Sequence, residues 1–285
     1  MWYFPGMENN IKLATELICS ADSLIITAGA GIGVDSGLPD FRGTEGFWVA
    51  YPALAKAHMS FQNAACPDTF QSNPKLAWGF YGHRLNLYRN TEPHIGFRYL
   101  QDIAQHLEGG AFVFTSNVDG QFQKSGFSQN NIVECHGSIH YLQCQNDCHH
   151  EIWGASKFIP QIDEENCLLV SPFPTCPNCG GISRPNILMF NDSHWEDSRT
   201  AQQMQRLQIW RKTVRRPVVI EIGAGNAIPT VRQFGHSLKA PMIRINPAEA
   251  EVTRRGDVSL KMGASQAIAA IAEQLHKAGF PQIVK

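Results

Sequence analysis

The sequence predicts an α/β fold, a doubly wound parallel sheet with a smaller domain inserted into it. Three observations carry that reading. Short β-branched runs recur along the chain, each apolar on consecutive residues rather than alternating, which is the pattern of strands buried on both faces of a parallel sheet. Helical patterns fill the intervals, giving the βαβ alternation of such sheets. Two stretches break the rhythm and read as insertions.

Taken in order, the strands are Ser23–Ala28, Ala111–Thr115, 132–135, Pro217–Ile222 and 241–246. The closing helix is the clearest, with Ile268, Ile271 and Leu275 on one face, Gly279 in C-cap position and Pro281 just beyond. Residues 51–90 read as helical and carry Trp, Tyr, Phe and His without a strand, while 138–183 is rich in Cys, Pro, Asn and His. The expected division is therefore a discontinuous sheet domain of 7–50, 91–137 and 184–280. The helical insertion 51–90 and the cysteine module 138–183 together make the small domain.

The 285 residues carry 24 Lys+Arg against 25 Asp+Glu, a balance that recommends neither nucleic acid nor a membrane surface as partner. The opening MWYFPGMENN lacks a basic region followed by an apolar one, and no apolar run approaches the roughly 18 residues that span a bilayer. A soluble, cytoplasmic protein is the expectation. Most of the eight cysteines crowd between Cys135 and Cys179, which a disulfide-stapled secreted domain of this length does not require.

Four stretches carry chemistry. GAGIGVDSGLPDFRG (29–43) follows the first strand, and such a glycine-rich turn lets backbone N–H groups approach a phosphate, as in dinucleotide sites. Its spacing departs from the common G-x-G-x-x-G fingerprint, since Val34 holds the third position and no acid stands near residue 50. Cys144-x3-Cys148 with Cys176-Pro-Asn-Cys179 offers four thiolates to one tetrahedral Zn²⁺, leaving no open position, so the metal is structural. Cys167, His149 and His150 stand close enough to substitute for one of the four. Thr115-Ser116-Asn117-Val118-Asp119-Gly120 ends the second strand, where Asn117 and Asp119 either make a turn or offer an amide and a carboxylate to a carboxamide. His136, in Glu134-Cys135-His136-Gly137-Ser138, is either a core histidine or a base suited to neutral pH.

In this order the motifs resemble those of the sirtuins, the NAD-dependent protein lysine deacylases, over about residues 7–275. The fold so implied is a Rossmann-like sheet with a zinc ribbon inserted. The resemblance implies NAD as co-substrate, bound by Gly29, Ala30, Gly31, Ser36, Asp40, Phe41, Arg42, Ser116, Asn117, Asp119, Gly223, Gly225, Asn246 and Ala264, with Phe41 shielding the reacting ribose. Cys144, Cys148, Cys176 and Cys179 match the zinc ribbon, and Phe190 follows the run Arg184–Met189 as the family's substrate-binding Phe does. His136, with Asn117 and Asp119, would be catalytic: the acyl group of an acyl-lysine protein or peptide passes to ADP-ribose, releasing nicotinamide and O-acyl-ADP-ribose, with His136 as general base.

The match also frays. Ser116 replaces a Gln, Asn191-Asp192 stands for Gly-Glu, and Ala224-Gly225 for Thr-Ser. An ADP-ribosyltransferase, against which the retained His136 argues, or an NAD hydrolase on the same scaffold is the alternative. Tyr81 and Arg84, three apart on one helical side, resemble the Tyr-x-x-Arg pair of the subclass that removes succinyl and malonyl groups. The other reading has Tyr81 packed and Arg84 solvated.

Overall fold

A six-stranded parallel sheet, with helices on both faces, forms the frame of the molecule. The structure is a computed structural model and describes residues 5–40 and 43–280, so that Phe41, Arg42 and Pro281 lie outside the described residues. In chain order the strands are β1 Ser23–Ala28, β2 Ala111–Thr115, β3 Ile132–Glu134, β4 Gly137–Cys144, β5 Trp153–Gly154, β6 Ile162–Asp163, β7 Leu168–Leu169, β8 Ser183–Ile187, β9 Pro217–Ile222, β10 Met242–Ile245 and β11 Val258–Leu260. The parallel sheet runs β11-β10-β9-β1-β2-β3. Three of the expected strands coincide with β1, β2 and β9, and β3 and β10 are shorter than expected. The sequence reading has no strand at β11, because Val258-Ser259-Leu260 is short and stands among Arg254, Arg255, Asp257 and Lys261. Pairing with β10 makes it one.

Consecutive apolar residues are explained by two cores. Leu24, Ile26 and Ala28 of β1 pack with Ile11, Ile18, Phe97, Ile103, Ile268, Ile271 and Leu275 of the helices Pro5–Ser20, Ile95–Gln105 and Ala264–Lys277. Ile25, between them, turns to the opposite face with Val219 and Met242. Full burial of each such side chain contributes about 1.5–3 kcal/mol relative to exposure.

The site's place follows from strand order. From β1 the chain moves to β2 and β3 on one side, then returns to β9 on the other, so a crevice opens at the carboxyl ends of β1 and β9. Here the glycine loop forms two 3-10 turns, Ala30–Ile32 and Val34–Ser36, rather than the α-helix such loops usually open. Gly29 N–H donates to Ile222 O and Gly31 N–H to Gly223 O, both at 3.0 Å. A Cβ on Gly31 would lie 2.7 Å from Gly223 Cα, so close loop-to-loop packing by itself demands glycine there.

A further buried cluster joins Phe47, Leu54, Phe70, Trp78, Phe80, Tyr81 and Leu85 to Leu142, Leu169 and Ile187. Its main helix, Pro74–Asn90, is pinned where Trp78 Nε1 donates to Ser183 O at 2.8 Å. Gly79 passes the Cys167 carbonyl so closely that a Cβ would stand 1.9 Å away. β5-β4-β8 form a small antiparallel sheet beneath these helices. Among the described residues no helix is long and apolar enough to cross a membrane.

Candidate active site

A cavity of about 660 Å³ opens at the crevice between the parallel sheet and the helical cluster. Gly29, Ala30, Gly31 and Asp40 line it from the glycine loop, Ser116, Asn117 and Asp119 from the end of β2, and His136 from the residues between β3 and β4. Gly223 and Gly225 close one side, and Tyr81, Arg84 and Phe190 line another. Among the described residues, three of the expected cofactor contacts lie outside this lining. Ser36 Oγ accepts the His94 N–H at 2.9 Å. Asn246 is buried, its amide donating to Ala224 O and its oxygen accepting from the Ala248 and Glu249 N–H groups. Ala264 is buried at the start of its helix, within the core beneath the sheet.

The β2 end is held by backbone and side-chain bonds together. Ser116 N–H continues the ladder to Ala28 O, Asn117 N–H donates to Thr115 Oγ1, and Asn117 Nδ2 donates to Gly29 O at 3.1 Å. Asn117 thus ties the turn to the glycine loop. Asp119 Oδ1 accepts the Gln121 N–H at 2.9 Å. Burial pushes the Asp119 carboxyl up to about 6, with Glu134 adding to the rise and Arg84 opposing it, so it remains mostly ionised at neutral pH.

His136 precedes Gly137, which has φ +77° and passes so near Asn186 O that a Cβ would lie 2.1 Å from it. The carbonyl of His136 also accepts the Leu188 N–H. The main chain that carries the imidazole is therefore held in place. Burial lowers its pKa below the usual 6.5, keeping the ring neutral and able to take a proton.

Two of the frayed positions, Asn191 and Asp192, lie just after Phe190. Asn191 has φ +56°, a conformation glycine takes freely and Asn tolerates better than most residues. Asp192 receives both guanidinium arms of Arg184, at 2.7 and 3.0 Å, and also accepts the Met189 and His194 N–H groups. That buried fork fixes the loop bearing Phe190, whose own N–H donates to Ala65 O.

Tyr81 and Arg84 both line the cavity and are buried, which removes the reading of Arg84 as a solvated side chain. The guanidinium lies over the rings of Phe80, Tyr81 and Tyr88, 5.2, 5.7 and 5.4 Å from their centroids. Sequence reasoning missed Tyr88, Gln62, Asn226 and Glu249 in the lining. Glu249 sits in a loop without a motif, whereas Tyr88 was findable as the residue one turn beyond Arg84.

Away from the cavity, the four predicted thiols meet. Sγ of Cys144, Cys148, Cys176 and Cys179 all lie within 4.8 Å of one another, with Cys144–Cys179 at 3.7 Å and Cys148–Cys176 at 3.5 Å. Zn–S bonds of about 2.3 Å place tetrahedral sulfurs about 3.8 Å apart, so the set fits one structural Zn²⁺. Asn146 N–H and Asn178 Nδ2 donate to Cys144 and Cys148 sulfur, as suits thiolates. Cys167 is instead buried in the helical cluster, His150 pairs with Glu196, and His149 Nε2 lies 3.2 Å from Cys176 Sγ.

Residues 29–224, well over half of the chain, match the Sir2 family. Among similar proteins, an NAD-dependent protein deacylase of Aquifex aeolicus (strain VF5) is 26% identical over 259 residues, covering 90% of this chain and 96% of that protein. A second, from Leptospira interrogans serogroup Icterohaemorrhagiae serovar Lai (strain 56601), is 28% identical and covers 82% of this chain and 85% of its own. The crystal structure of a Sir2 homologue–NAD complex superposes with a TM-score of 0.71 at 22% identity, covering 93% of each chain. Sheet order, thiol set and family match agree, and the chain belongs to the Sir2 family.

Proposed function

We propose that the protein is an NAD-dependent protein lysine deacylase. One observation carries the reading: a single cavity gathers the glycine loop, the Asn117–Asp119 turn, a neutral His136 and the Tyr81–Arg84–Phe190 wall. The names of the relatives as NAD-dependent protein deacylases support it. NAD supplies a nicotinamide leaving group and an ADP-ribose acceptor for the acyl group. The chain's residues do the rest. Asn117 and Asp119 hold the carboxamide, the glycine loop's backbone faces the diphosphate, and His136 takes a proton from a ribose hydroxyl. The acyl-lysine segment lies extended between the 188–190 and 225–228 loops, by strand addition, with its acyl chain reaching Phe190. Eight cysteines with no disulfide among the described residues suit a reducing compartment such as the cytoplasm. Incubation with NAD and acyl-lysine peptides, followed by mass spectrometry, tests the reading. O-acyl-ADP-ribose supports it, whereas ADP-ribosylated protein or free ADP-ribose alone refutes it.

The acyl group we infer is acidic, succinyl or malonyl, because the acyl wall contains a buried guanidinium beside the Tyr81 phenol. Burial raises the Tyr81 pKa despite the nearby Arg84, so the phenol stays a donor. A guanidinium and a phenol together are suited to a carboxylate. Arg84→Met is expected to lower kcat/KM for a succinyl peptide about tenfold to a hundredfold more than for an acetyl peptide, a charged hydrogen bond being worth roughly 1.5–3 kcal/mol. Equal losses on the two peptides would leave a deacylase that does not read acyl charge.

A further inference from the structure

Four residues past Arg84, one helical turn on, Tyr88 places its hydroxyl against the same guanidinium. Arg84 Nε donates to Tyr88 Oη at 3.0 Å and Nη2 donates to it at 2.8 Å. A phenol oxygen has two lone pairs and one proton, so both acceptor sites are engaged and only the O–H remains to give. Among the described residues no acceptor meets that proton. Tyr88 is 5% exposed and is among the residues that line the cavity. Burial raises its pKa, against Arg84, so the hydroxyl keeps its proton at neutral pH.

We infer that Tyr88 is a third specificity-determining residue, its O–H donating to the carboxylate of the acyl group while its lone pairs hold the Arg84 guanidinium. The inference rests on the acidic-acyl reading of Tyr81 and Arg84. Three features favour it over a purely structural phenol. The Nε–Nη2 edge of Arg84, the edge that grips carboxylates side-on, is taken by the phenol, so an incoming anion meets guanidinium and phenol as one unit. Two donated bonds from a cation polarise the phenol and strengthen it as a donor. The backbone of Tyr88 is itself fastened, Gln121 Nε2 donating to Tyr88 O at 3.2 Å, and Gln121 N–H is bound to Asp119. The donor is thus preorganised next to the turn proposed to seat the carboxamide.

The test is the ratio of kcat/KM for succinyl over acetyl peptides of one sequence, measured for the wild type, Tyr88→Phe and Arg84→Met. Tyr88→Phe is expected to lower the ratio about tenfold, through a raised KM for the succinyl peptide, because the carboxylate lies away from the reacting carbon. An unchanged ratio in Tyr88→Phe, with Arg84→Met still collapsing it, overturns the role of Tyr88 and leaves the acidic-acyl reading standing. Equal losses on both peptides in Tyr88→Phe, carried by kcat, show a packing role and also overturn it. A wild type that takes acetyl but not succinyl peptide defeats both readings. Should the melting temperature show that the Phe variant is unfolded, Tyr88→Leu removes the same hydroxyl with a smaller side chain, and the same ratio decides.

Discussion

His136→Ala is expected to lower acyl transfer by about a hundredfold to ten-thousandfold, the span that a positioned general base contributes. The imidazole lines the cavity, burial holds it neutral, and its backbone is fixed at Gly137 and through Leu188. Removing it therefore deletes a proton acceptor and leaves the surrounding chain in place. NAD binding, measured by calorimetry, is expected to survive, since the glycine loop and Asn117 are untouched. The same assignment fixes the pH profile. Because only the neutral ring accepts a proton, kcat/KM rises with pH, and its acid limb lies below the ordinary histidine value of 6.5. Turnover at the wild-type rate in His136→Ala would remove the proposed mechanism.

Cys176→Ser is expected to cost the protein its small-module structure. A structural zinc contributes on the order of 10 kcal/mol to the folding of such a module, comparable to the whole stability of a domain. The four sulfurs join the end of β4 at Cys144 to the turn at Cys176–Cys179, closing the end of the antiparallel sheet where Thr175 bridges Ile182. About one zinc per chain by elemental analysis is expected for the wild type, and rapid cleavage within 138–183 under limited proteolysis for the variant. Soluble, active, metal-free enzyme would refute the assignment.

The parts of the fold legible in the sequence were those whose signal is local. β1, β2 and β9 are short, mostly apolar runs with β-branched residues, the pattern of strands buried on both faces. The cysteines declare themselves by knuckle spacing alone. β11 was illegible because three residues in a charged stretch become a strand only through their partner. In the site, motifs located the loops but not which side chains were already engaged. Ser36 Oγ already accepts the His94 N–H, and Asn246 Oδ1 already accepts the Ala248 and Glu249 N–H groups. Tyr88 reads as one more aromatic on a helix until its oxygen is found between two nitrogens of Arg84. Occupancy of a polar atom is a tertiary fact, and spacing does not encode it.

The seam between the glycine loop and the residue after β9 constrains how this sequence can change. A Cβ on Gly31 meets Gly223, and a Cβ on Gly223 would come within 2.4 Å of the Gly31 carbonyl carbon and of Ile32 N. In an ordinary core, an enlarged side chain can be accommodated by trimming its neighbour. Here the neighbour has nothing left to trim. The two positions therefore form a pair without mutual rescue, and a library that randomises both together should return glycine at both, however strongly it selects for altered cofactor or acyl preference.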